Sequence, residues 1–161
     1  DEQCHVGRLA RDLRVETGMD RSAGTVKARL AHTNTSAFAM ITEGEHRLLE
    51  LAYNAPLRGD EGLPKPPAVR ALDVGILHAV ILEHVLGISR EAQASQTNLR
   101  YSKNNSEALA SVPGDAQVAF LMNPTKIREV IDISNAGEVM PQKSTFFFPK
   151  IPSGLVLYPL D

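Results

Sequence analysis

Between Asp73 and Gly87 the chain places Ile76, Leu77, Val80, Ile81, Val85 and Leu86, so apolar side chains cover most of the girth of the helix that spacing predicts. Such a helix has little polar surface to offer water and belongs at the centre of the fold. Asp73 suits its N-cap and Gly87 its C-terminal stop. The rest of the chain has to be arranged around it.

Strand signals supply what it packs on. Residues 36–43 and 46–53 flank Gly44-Glu45 and read as a hairpin, with some helical ambiguity in the second run. Ala116 to Met122 reads as a buried strand, Leu99-Arg100-Tyr101 as a short one, and 144–148 with 154–158 as two more around Pro152-Ser153-Gly154. Helical spacing of Val6, Leu9, Ala10 and Leu13 predicts an amphipathic helix over 5–17. Asn105–Ala110 reads as a short capped helix ending at Pro113-Gly114. Asn123-Pro124 reads as the cap and first position of another, with Ile127, Val130 and Ile131 on its buried face and its end near Gly137. These elements predict a mixed α+β (α/β) fold, a mixed sheet with helices packed on it.

A length of 161 residues fits one domain. Four prolines and two glycines make 55–68 a surface connector rather than a domain boundary. At 43% hydrophobic and 22% charged residues, the chain has enough apolar surface for a core, which argues against wholesale disorder. The net charge of −2, with the early arginines interleaved among acidic residues, argues against nucleic acid as a partner. No apolar run reaches the length of a membrane span. The single cysteine, Cys4, excludes an internal disulfide and any multi-thiolate metal site, and points to a reducing, cytoplasmic setting. The absence of an initiator Met suggests a piece of a longer protein.

Chemistry concentrates in Met140-Pro141-Gln142-Lys143-Ser144-Thr145. Lys-Ser-Thr suggests a phosphate loop, but the glycine-rich run before it and the helix after it are missing, and Phe146-Phe147-Phe148-Pro149 continues as a strand. What survives is a loop with one cation, Lys143, and two hydroxyls, Ser144 and Thr145, suited to a small anion; the plainer reading is a surface loop entering a strand. Lys150, one strand further on, is within reach of the same side of the sheet, and its plainer reading is an ordinary solvated lysine. Asn123 stands where a strand hands over to a helix, a favoured place for ligands, or is simply a cap. Asp73 and His78 are candidates for acid–base work, set against their plainer roles as helix cap and core histidine. Five residues apart, they do not stack on one helix face, and neither do His78 and His84, so no metal site is expected. The residues identify no cofactor and do not decide whether the protein is an enzyme.

Three segments together resemble the C-terminal half of the DUF1015 family of uncharacterised prokaryotic proteins. They are Leu72-Asp73-Val74-Gly75-Ile76-Leu77-His78 with its helix through Ile88, Ala119 to Thr125, and Met140 to Lys150 with Gly154-Leu155-Val156. The resemblance covers about 69–158, and the hairpin fits it more loosely. Lys143, Ser144, Thr145 and Lys150 match the family's pattern, whereas Phe146 and Phe148 stand where members often carry Tyr, and Gln142 where Pro is frequent. The resemblance implies a C-terminal fragment whose partner is its own N-terminal domain, whose Pro-Tyr-Asp motif is absent here. It also strengthens the anion-binding reading of the loop. The alternative is a non-catalytic interaction or dimerisation domain supporting an N-terminal catalytic half, as a homodimer or on that half.

Overall fold

The computed structural model describes residues 13–51, 69, 71–141, 144 and 145. At its centre lies β2 (Ala37–Ile41), all five of whose residues are buried. The hairpin forms as its alternation predicts, with β3 (His46–Leu51) antiparallel to β2 and Phe38 opposite Leu49. Thr42 closes the turn: its N–H donates to the Glu45 carbonyl at 2.9 Å, and its hydroxyl accepts from the Glu45 N–H at 3.2 Å. β1 (Leu13–Thr17) pairs with β3, and β4 (Ala119–Met122) with the free side of β2, giving the order β1-β3-β2-β4. The α+β class stands, and every pairing among the described strands is antiparallel.

The two-residue period of the strands sorts the core into two layers. Phe38, Met40, Leu49 and Leu13 face the apolar helix, packing against Ile76, Leu77, Val80, Ile81 and Val85. Ala37, Ala39, Ile41, Leu48 and Leu121 face the other way, toward Val26 and Leu30 of α1 (Ala23–Ala31) and Leu109 of α4 (Asn105–Ala110). The sheet is thus covered by helices on both faces. Arg21 ties the second layer together, its guanidinium donating to the carbonyls of Leu109, at 2.5 Å, and Val112 at the end of α4.

The apolar helix begins as α2 (Asp73–Ile76) and continues as a wider π-helix over Leu77–Val85. Its bonds reach further back than an α-helix allows: Leu86 N–H donates to the Ile81 carbonyl at 3.0 Å, five residues away. Gly87 ends it at φ +72°, as the sequence predicts, because the left-handed turn costs glycine nothing. Asp73 is not the cap. Leu72 holds that position in an extended conformation, and Asp73 is the first helical residue, its carboxylate placed at the positive end.

Other expectations need correction. Residues 13–17 form a strand rather than the end of a helix; the expected 5–12 portion lies outside the described residues. Leu13 fits both periods, and pairing of 13–17 with the ready edge of β3 wins over local helical spacing. Residues 99–101 form no strand. α5 (Ile127–Asn135) starts after Lys126, whose N–H donates to the Glu129 carboxylate at 2.8 Å. Asn123 is not its cap. Its buried stripe is also turned by one residue: Ile133 is buried and Val130 half-buried, while Ile127 is 77% and Ile131 47% exposed. The expected connector 55–68 and strands 144–148 and 154–158 lie outside the described residues, apart from Ser144 and Thr145.

Candidate functional site

The end of β4, the start of α5, the start of α2 and the described residues Met140 and Ser144 meet at one corner. Ile133 of α5 packs with Val69, Leu72 and Val74, and Met122 and Met140 close over them. That small apolar cluster fixes the backbones that carry the polar groups.

Above it, the Thr125 hydroxyl donates to the Ser144 carbonyl at 2.6 Å. This bond holds Ser144 beside the residues that lead into α5. The Ser144 hydroxyl donates to the Pro141 carbonyl at 2.6 Å, so its proton closes the loop's own turn and leaves only lone pairs for a ligand. Thr145 is exposed. Lys143 and Lys150 lie outside the described residues.

Asp73 belongs to this corner. Burial holds its carboxyl above the ordinary range; the Ser36 hydroxyl opposes the shift, the Glu129 carboxylate adds to it and the Lys126 ammonium opposes it. The corner therefore combines one half-buried carboxyl, a second carboxylate, an ammonium and hydroxyls. The shift sets a pH dependence. The native state binds the Asp73 proton more tightly than the unfolded chain does, so this group's contribution to stability is greatest at low pH. It falls as pH rises through the unfolded value, about 3.9, toward the raised native one. Asp73→Asn is expected to melt above the parent at pH 7 and level with it below pH ~3, where both side chains are neutral. Melting curves across that range check this; a parent that outlasts Asp73→Asn at pH 7 would show that Ser36 and Lys126 outweigh burial.

Two sequence candidates stand elsewhere. The Asn123 amide donates to the Leu30 carbonyl at 2.9 Å, tying the strand exit to the last turn of α1. That tertiary bond replaces the cap role. His78, half-buried on the π-helix, has its ring stacked on Tyr101 rather than joined to Asp73. Among the described residues no group of three or more His, Cys, Asp or Glu is arranged to hold a metal ion, and no helix is long and apolar enough to cross a membrane. The sequence reading named Asp73 and the loop but missed Ser36, Lys126 and Glu129. Glu129 alone had a signal, three residues after the cap position.

Comparison with protein-family models, with curated proteins and with solved structures finds no match to this chain.

Proposed function

We propose that this chain is the C-terminal domain of a longer cytosolic protein of the DUF1015 type, and that it binds a small anionic metabolite or nucleotide at the corner of α5 and the Pro141–Thr145 loop. The observation that carries this reading is the 2.6 Å bond from Thr125 to the Ser144 carbonyl. It sets Ser144, the neighbour of Lys143 in the chain, against Thr125 just ahead of α5, where the helix dipole and Lys126 favour an anion and the carboxylates of Asp73 and Glu129 oppose it. Lys143 would pair with the anion and the Thr145 hydroxyl would donate to it, with Ser144 shaping the loop. Lys150 joins the reading from the sequence alone.

The test is a thermal-shift screen of the chain with phosphorylated metabolites, nucleotides and amino acids, run beside Lys143→Ala. A ligand at a hundred times its dissociation constant stabilises by about 2.7 kcal/mol, a rise on the order of 5–10 °C for a domain of this size. The rise should vanish in Lys143→Ala. A ligand that stabilises both proteins equally would remove Lys143 from the site.

A second reading, an interaction or dimerisation domain, draws on the exposed apolar residues Ile127, Ile131 and Val139. Light scattering of the parent and of Ile127→Glu separates the two. A dimer lost in the variant, with no ligand response in the parent, favours the interaction domain.

A further inference from the structure

Gln93 is the one buried polar side chain among the described residues. Its amide donates to the carbonyl of His78 at 3.2 Å and to that of Ile88 at 2.8 Å. It thereby braces the π-helix at the residue that carries the imidazole. π-Helical turns are uncommon and concentrate at functional sites.

The His78 ring lies 6.0 Å from that of Tyr101, centroid to centroid, with 24° between their planes. This is an offset stack. Tyr101 nonetheless keeps 39% of its surface open to solvent. Its backbone is anchored on both sides. Leu99 packs against the core beneath, and the Ser102 hydroxyl accepts from the Asn104 N–H at 3.0 Å and donates to the Glu107 carboxylate at 3.0 Å. An aromatic ring thus stands at the surface, stacked on its partner. Burial lowers the imidazole's pKa and so favours its uncharged form.

We propose that the His78–Tyr101 stack is a platform for a planar heteroaromatic ring of the nucleobase type, bound on the open surface of Tyr101. A third ring extends the offset stack, and the polar edges of imidazole and phenol suit a ligand whose rim carries hydrogen-bonding groups better than a purely apolar one. The proposal rests on other residues than the anion corner does, Gln93, His78 and Tyr101 rather than Asp73, Lys126 and Ser144.

The experiment titrates the chain with adenosine, guanosine, cytidine and uridine, uncharged probes that the anion site does not favour. Ring-proton shifts of His78 and Tyr101 are followed by NMR. At least one nucleoside should shift both rings saturably. Tyr101→Phe, which keeps the ring, should bind within about threefold of the parent. Tyr101→Leu should bind roughly 5- to 150-fold more weakly, the 1–3 kcal/mol a base–aromatic stack is worth. Absence of saturable shifts at these rings overturns the proposal, as does a Tyr101→Leu variant that binds like the parent. The titration of the parent chain decides the matter even if Tyr101→Leu does not fold.

Discussion

Phe38→Ala should lower the free energy of unfolding by about 3–5 kcal/mol. At roughly 2–4 °C per kcal/mol for a chain of this size, that is a fall in melting temperature on the order of 10 °C. Phe38 is fully buried on the central strand, opposite Leu49 on one side and Met122 on the other, with Ile81 and Val80 in the cluster that covers it. Removing its ring opens a cavity between sheet and helix, two rigid layers that cannot close over it. Against a total stability of about 5–15 kcal/mol, the loss takes roughly a fifth or more of what holds the domain folded. Met40→Leu, on the same strand and face, conserves volume and should cost under about 1.5 kcal/mol. Urea unfolding followed by circular dichroism compares the two, and equal costs would mean that the layer is not packed around Phe38.

Ile133→Ala should cost about 2–5 kcal/mol, whereas Ile127→Ala and Ile131→Ala should each stay within about 0.5 kcal/mol of the parent. All three residues lie on α5, but only Ile133 is buried, against Val69, Leu72 and Val74. The variant also tests the corner. The cluster around Ile133 fixes the starts of α2 and α5, so a ligand bound at that corner should stabilise Ile133→Ala less than the parent. If Ile131→Ala proves the costlier substitution, the buried stripe is the one read from the sequence after all.

Those isoleucines show where local reasoning ends. Val130 fits either stripe, and the choice between Ile131 and Ile133 depends on which neighbour holds a matching hollow, a fact carried by Leu72 and Val74 some sixty positions away. The hairpin was legible because alternation and the turn at Gly44 agree, and the stops at Gly87 and Gly137 because each adopts the left-handed turn that glycine favours. α1 and α3 (Arg90–Ser95) escaped notice because each buries little: Val26 and Leu30 in the first, Gln93 in the second. Asn123 was misread because a good capping side chain is equally good for a distant carbonyl, and here Leu30 takes it. The candidate site was half legible for the same reason. Asp73 and the Lys-Ser-Thr loop carry a local signature, but Ser36 and Glu129 join Asp73 only through the packing of the elements that carry them.

The strand order β1-β3-β2-β4 also shapes how this chain can assemble. β2 finds β3 across the short gap from Ile41 to His46, but finds β4 only across the gap from Ile41 to Ala119, close to four doublings longer. At about 0.6 kcal/mol per doubling, closing the second gap costs roughly 2.4 kcal/mol more in chain entropy. A cut placed between Leu51 and Val69 would leave β1, β2 and β3 on one piece and β4 with the apolar helix on the other, so the ladder from Phe38 to Met122 would become a joint between two molecules. Each piece would carry half of one core and a need for the other half. The domain is therefore a natural candidate for division into two fragments that regain structure only when mixed, with Phe38 at the seam.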